Sequence, residues 1–198
     1  IIVTNPLDTM VFSFMEVSGF PKNQVCGMAG MLDAGRWRAF IAMELNVCVE
    51  DVAGTVLGGH GPTMVPLPRL TTVGGVPLNE LMDQETIDRI ITRTRKAGGE
   101  IVGLLGTGSA FFSPAYSAIS MAESYLKDKK RVMPIAALCE GEFGVDGLII
   151  GVPAVIGGTG VEKVYTIKLN EEEQAMLDKT VEHVQGSVAE AKEFLAKI

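Results

Sequence analysis

The feature that most restricts the fold is an apolar run, Leu148 to Ile156, that halts at Gly157-Gly158-Thr159-Gly160 and resumes as Val161 to Leu169. With Gly151 and Pro153 inside it, the first run is too short and too interrupted to cross a bilayer, which takes roughly 18 consecutive apolar residues. It reads as a buried strand, and the glycine cluster turns it back on the second run as a hairpin. Val132 to Leu138 is a third β-like run just upstream. Hairpin partners lie antiparallel, so the C-terminal half needs an antiparallel sheet.

The front of the chain follows a different rule. Ile1 to Thr4 reads as a buried strand, Asn5-Pro6 breaks it, and Pro6 suits the first turn of a helix running to about Val17. Leu7, Met10, Val11, Phe14 and Met15 share one face of that helix. Gln24 to Met28 is a second short strand, so residues 1 to 29 form a strand-helix-strand unit of the kind found in parallel sheets. The chain opens on Ile1 directly in an apolar run, which leads us to expect the back part of a longer polypeptide.

Between these ends, a helix is expected from about Leu32 to Leu45, with Trp37, Phe40, Ile41 and Leu45 as its apolar stripe. Strands follow at Asp51 to Leu57 and Thr63 to Leu67, then a Gly74-Gly75 turn before Val76-Pro77. Two helices come next, from about Gln84 to Leu105 and from about Pro114 to Leu126, the second burying Ile119, Met121, Ala122 and Tyr125. Asn170-Glu171-Glu172-Glu173 pairs a cap residue with acids at the positive helix end. It starts a last helix with Leu177, Val181, Val184, Val188, Ala191 and Leu195 on one side. The pattern is α/β: a parallel-sheet tail followed by an α+β unit with an antiparallel sheet.

Charge and cysteine usage narrow the partners. Seventeen basic against 24 acidic residues give a net charge of −7, with the basic residues scattered apart from Lys127 and Lys129-Lys130-Arg131, so nucleic acid is not an expected partner. Nor is a membrane. Cys26, Cys48 and Cys139 are odd in number and widely spaced, without a zinc pattern, which suits a reducing, cytoplasmic setting. No metal is expected.

The chemistry concentrates in two segments, Leu32-Asp33-Ala34-Gly35-Arg36 and Gly58-Gly59-His60-Gly61. Asp33 and Arg36 lie three apart on one helix face. An acid at a helix start is ordinarily just that, but the apolar Met28-Ala29-Gly30-Met31-Leu32 ahead of it places this pair inside the protein, where an arginine requires an anion. His60 follows the apolar run Val52 to Leu57 in a glycine cluster where a substrate could approach closely. His183 falls off the apolar stripe of the last helix and takes a solvated surface role. Gly106-Thr107-Gly108 follows a helix rather than a strand and is not a phosphate cradle.

These segments fall in a longer ordered series: Val3-Thr4-Asn5-Pro6-Leu7-Asp8, Ser18-Gly19-Phe20-Pro21, Gly30 to Arg36, Gly58 to Gly61, Met64 to Arg69, Thr107 to Phe111, Leu126 to Val132, Gly151-Val152-Pro153 and Gly160 to Lys163. The series resembles the lactate/malate dehydrogenase family over essentially the whole chain. The resemblance implies that residues 1–29 are the tail of an NAD-binding Rossmann domain and residues 30–198 the substrate-binding catalytic domain. It implies Arg36 as a bidentate clamp on the substrate's C1 carboxylate and Asn5 as a donor to the substrate oxygen. Val3, Thr4 and Asn5 would line the cofactor site, His60 would be the proton donor and acceptor, and Asp33 would orient its ring.

By the same resemblance the cofactor is NAD, the enzyme works as a homo-oligomer, and Gly27-Met28-Ala29-Gly30 with Gly108-Ser109-Ala110 favours malate and oxaloacetate over lactate. The cofactor domain and the arginines that recognise the second carboxylate belong to the other half of such enzymes, and without the cofactor domain this segment alone should be inactive. Lactate dehydrogenase is the alternative within the family, and a non-catalytic association module the alternative outside it. Two departures stand out. Pro62 replaces an expected Asp after Gly-Gly-His-Gly, removing a backbone donor and a carboxylate near His60, and Gly35, where Ala or Ser is usual, weakens its helix by about 1 kcal/mol.

Overall fold

The computed structural model describes residues 1–197. The antiparallel sheet expected from the hairpin is its largest element: β6 (Arg131–Glu140), β7 (Asp146–Gly157) and β8 (Gly160–Val164), in that order, all antiparallel. β7 is the central strand and is almost wholly buried beyond its first two residues, which explains why it reads as a continuous apolar run rather than an alternating one. β8 ends at Val164, short of the expected Leu169, and pairs with β7 from Gly160 to Val164 with a register shift at Val155/Ile156.

Among the described residues, five α-helices pack on this sheet or on one another. They are α1 (Leu7–Ser18), α2 (Ala29–Leu45), α3 (Gln84–Leu105), α4 (Phe112–Leu126) and α5 (Glu171–Leu195). One hydrophobic core gathers β6 and β7 with Leu7, Val11 and Phe12 of α1, Met31 and Leu32 of α2, and Leu177, Val184 and Val188 of α5. A second joins Trp37 and Ile41 of α2 to Ile87 and Ile90 of α3 and to Leu78. α2 therefore runs through both cores, and residues 33 to 36 lie where they meet. Its start shows how close the packing is: a Cβ on Gly30 would stand 2.7 Å from the Pro134 carbonyl oxygen of β6.

Several short strands are smaller than the sequence pattern suggests. Ile1 to Thr4 and Gln24 to Met28 are not strands; they meet through a single parallel bridge between Ile2 and Gly27, and Gly27 in turn bridges Ala136 of β6. Asp51 to Leu57 divides at Gly54-Thr55 into β1 (Val52–Ala53) and β2 (Val56–Leu57), which pair with different partners. β2 pairs with β3 (Val65–Pro66), while β1 pairs with β4 (Thr72–Val73) and β4 with β5 (Val76–Pro77) across the Gly74-Gly75 turn. Both turn glycines have positive φ, as that tight reversal demands.

Helical faces bring the main corrections. α4 buries Ser117, Ser120, Met121 and Ser124, while Ile119 and Tyr125 point outward at 66% and 46% exposure and Ala122 is only half-buried. The serine face is selected because Ser124 Oγ donates to the Ile156 carbonyl at 2.7 Å, serving the end of β7. On α1, Met10 and Phe14 are exposed, whereas Asp8 and Phe12 are inside. The final helix begins as expected, with Asn170 accepting from the Glu173 amide and Glu173 accepting from the Asn170 amide in a capping box. Glu173 is also bridged by Arg69 at 2.8 Å.

Candidate active site

Tertiary packing brings Asp33, Arg36 and His60 together. α2 begins at Ala29 rather than Leu32, so Asp33 is held a full turn inside the helix and is 1% exposed. His60 follows β2, and its Nδ1 lies 2.8 Å from Asp33 Oδ2. An ionised carboxylate accepts only, so Nδ1 carries the proton it shares with Asp33 and Nε2 is the nitrogen available to a bound molecule. Burial is the largest influence on the imidazole and opposes its charge. The hydrogen bond and charge of Asp33, helped by Asp8, outweigh burial and the repulsion from Arg36, so the His60 pKa is raised.

Arg36 stands 3.7 Å from Asp33 Oδ1 through Nη1, too far for a hydrogen bond. Its Nε and Asp33 Oδ1 are both buried without a partner. Burial lowers the Arg36 pKa, with Asp33 offsetting part of the effect. A half-buried guanidinium with an unspent donor edge is a receptor for a planar anion, since each N–H left unpaired away from water carries a desolvation penalty. Gly98 of α3 passes beside it, and a Cβ there would reach 3.7 Å from Nη1 and 3.8 Å from Nη2.

Both side chains face a cleft of about 480 Å³ whose walls include Val3, Asn5, Met28, Leu32, Val102 and Ser109. Of the residues expected at the cofactor, Val3 and Asn5 line this cleft; Thr4 is exposed and is not part of its wall. His183 is on the surface of α5. Pro62 is exposed in a turn and brings no carboxylate to His60.

Another acid does approach His60. Asp8, in the first turn of α1, accepts the backbone N–H of His60 through Oδ2 at 2.9 Å, while its Oδ1 is buried without a partner. Burial pushes the Asp8 carboxyl up to about 6, against the opposing pull of that amide bond and of the imidazole. Asp8 carries no assigned role in the sequence, and an acid in a first turn is ordinarily a dipole partner. The available signal was its register: residue 8 lies three and four before Val11 and Phe12, on the buried stripe.

Comparison with known proteins gives the family of the chain. Residues 30–195 match the family described as lactate/malate dehydrogenase, alpha/beta C-terminal domain. The chain belongs to that family. It is 58% identical over 192 residues to malate dehydrogenase 1 of Anaeromyxobacter dehalogenans and 54% identical over 197 residues to malate dehydrogenase of Cereibacter sphaeroides, covering 97% of this chain in each case. The chain spans about 62% of the length of these relatives.

Solved structures align equally well. Malate dehydrogenase from Salinibacter ruber superposes with a TM-score of 0.94 at 50% identity, over 98% of this chain and 63% of that one. Lactate dehydrogenase from Cryptosporidium parvum, solved with lactic acid and nicotinamide adenine dinucleotide, superposes with a TM-score of 0.93 at 46% identity, over 96% of this chain and 61% of that one. The α/β architecture with antiparallel sheets is that of the family's C-terminal domain. Among the described residues, no helix is long and apolar enough to cross a membrane.

Proposed function

We propose that this chain is the substrate-binding and catalytic half of an NAD-dependent malate dehydrogenase. The observation that carries the reading is the contact of half-buried His60 with buried Asp33 at 2.8 Å, beside a guanidinium whose Nε has no partner, with His60 and Arg36 lining one cleft. Arg36 takes the C1 carboxylate of malate or oxaloacetate, and Asn5 donates to the substrate oxygen. His60 protonates the carbonyl oxygen through Nε2 during reduction and recovers that proton during oxidation. Asp33 holds the ring in the required tautomer and stabilises the charged imidazolium, which must form and discharge once per turnover.

The cleft fits one end of the cofactor. Val3, Met28 and Leu32 give it an apolar wall next to His60, suited to a flat nicotinamide ring. When bound, NAD supplies or accepts the hydride. No Gly-x-Gly-x-x-Gly follows a strand in these 198 residues, so the phosphates would be held by other parts of the enzyme. Residues 1–29 read as the tail of that nucleotide-binding domain, supported by the parallel Ile2–Gly27 bridge and by the family match beginning at residue 30. Homo-oligomer formation fits the exposed apolar face of α4, which includes Phe112, Tyr116 and Ile119.

Malate is favoured over lactate by relatives named malate dehydrogenase at 54% and 58% identity. The deciding experiment is steady-state oxidation of malate and of lactate by the full-length protein, alongside His60→Asn and Arg36→Lys. Malate turnover should be lost in His60→Asn with NADH binding retained. In Arg36→Lys, KM should rise at least tenfold because a point charge replaces the bidentate fork. Unchanged malate turnover in His60→Asn would refute the assignment of the proton to that imidazole.

A further inference from the structure

Three successive backbone amides lead into His60, and each is bonded to a different element of the fold. Gly58 N–H donates to the Gly151 carbonyl of β7 at 2.9 Å. Gly59 N–H donates to Thr180 Oγ1 of α5 at 2.9 Å, and His60 N–H donates to Asp8 Oδ2 of α1 at 2.9 Å. The loop has no room for slack: a Cβ on Gly59 would fall 2.8 Å from Val184 Cγ2 and 3.0 Å from Thr180 Oγ1. Two of these anchors are uncharged. Asp8 is the exception, a carboxylate 6% exposed with one oxygen lacking any partner.

Burying a carboxylate to hold one amide is an expensive way to do what Thr180 does next door with a hydroxyl. The charge therefore calls for a role that a neutral acceptor would not fill. The charged groups facing His60 are Asp8 from α1 and Asp33 and Arg36 from α2; α5 presents uncharged Thr180, and β7 presents the backbone of Gly151. Arg36 disfavours the imidazolium, and the two carboxylates favour it. Asp8 also lies in the first turn of the helix that follows Asn5, tying the substrate-facing amide and the histidine loop to one rigid element.

We propose that Asp8 is a positioning residue for His60, its carboxylate fixing the loop backbone through the His60 amide while supplying a second negative charge that keeps the imidazole protonated beside Arg36. This rests on the reading of His60 as the proton carrier. Since Asp33 alone faces the ring nitrogen, Asp8 acts through the backbone and through space. Its carboxyl, pushed up to about 6, loses that charge in mild acid.

Asp8→Asn keeps an acceptor for the His60 amide and removes the charge, whereas Asp8→Ala removes both. In the full-length protein, the titration of His60 is followed by NMR of histidine-labelled samples, with His183 on the surface as the control. Asp8→Asn should lower the His60 midpoint by about one pH unit and leave His183 unmoved. Hydrogen exchange at the His60 amide should remain slow in Asp8→Asn and quicken about tenfold in Asp8→Ala, the equivalent of one net hydrogen bond.

Thr180→Val should quicken exchange at Gly59 without shifting the His60 midpoint, which separates charge from packing. If Asp8→Ala does not fold, the Asp8→Asn titration still decides. A His60 midpoint unmoved in Asp8→Asn overturns the proposal, as does slow His60 exchange in a folded Asp8→Ala. If the midpoint moves as expected but the wild-type protein interconverts neither malate nor lactate, the dehydrogenase reading fails and the placement of His60 by Asp8 stands.

Discussion

Replacing Asp33 with Asn tests the site most directly, because it changes one atom type at the contact on which the proposed chemistry depends. Asp33 is 2% exposed at the side chain and meets His60 Nδ1 at 2.8 Å. A hydrogen bond to a charged group contributes roughly 1.5–3 kcal/mol. At 1.36 kcal/mol per pKa unit, its loss lowers the imidazole pKa by about one to two units. Burial, the largest influence on His60, already presses the other way, so removing Asp33 leaves Asp8 as the only opposing charge. An Asn amide nitrogen turned toward Nδ1 would also move the proton to Nε2, the wrong tautomer for accepting one from malate.

The assay is kcat/KM for oxaloacetate reduction against pH in the full-length protein. Reduction needs the protonated ring, so the rate falls as pH rises through the His60 pKa, and in Asp33→Asn that fall should come about one to two units lower. Above the wild-type midpoint, this corresponds to about a 10- to 100-fold loss. The NMR midpoint of His60 should move by the same amount. A folded Asp33→Asn enzyme whose pH limb stays at the wild-type position would refute the claim that this carboxylate holds the imidazole charged.

Other consequences concern stability. Asp8, raised from 3.8 to about 6, favours folding in its neutral form; that contribution is complete below pH 3.8 and lost as pH rises through about 6, amounting to about 3 kcal/mol. Urea melts of Asp8→Asn at pH 4 and pH 7 should lack this part of the pH dependence. The raised pKa of His60 acts in the same direction: its stabilisation is present below the ordinary value near 6.5 and lost as pH rises through the folded one. Gly35, with open space around its missing Cβ, should accept Ala with a gain of up to about 1 kcal/mol, seen as a higher Tm. Gly30→Ala should destabilise instead, because its Cβ would collide with the Pro134 carbonyl at 2.7 Å. Ile41→Ala, fully buried in the second core, should lower stability by about 2–5 kcal/mol in denaturant unfolding.

Local chemistry was legible in the residues themselves. The capping box of Asn170 and Glu173, the helix from Gln84 to Leu105 and the Gly74-Gly75 and Gly157–Gly160 reversals all rest on interactions within a few positions of the chain. The three-residue spacing of Asp33 and Arg36 belongs to the same class, since a helix places such a pair on one side whatever surrounds it. The ordered series of motifs carries the family resemblance in residue identities alone.

Distance along the chain marks where that legibility stopped. Periodicity identified α4 as a helix but placed Ile119 and Tyr125 inside, and only the neighbouring end of β7, with a carbonyl at Ile156 needing a donor, selected the serine face. Nothing near Asp8 in the chain shows that the loop 52 residues later rests on it. Asp33 and His60 are 27 residues apart, and no propensity brings them to 2.8 Å. Residue types and short-range spacing determine which helices, turns and polar groups a chain has available. Which carboxylate meets which nitrogen, and away from water, is decided by packing, because burial and long-range contact exist only once the helices and the sheet have come together.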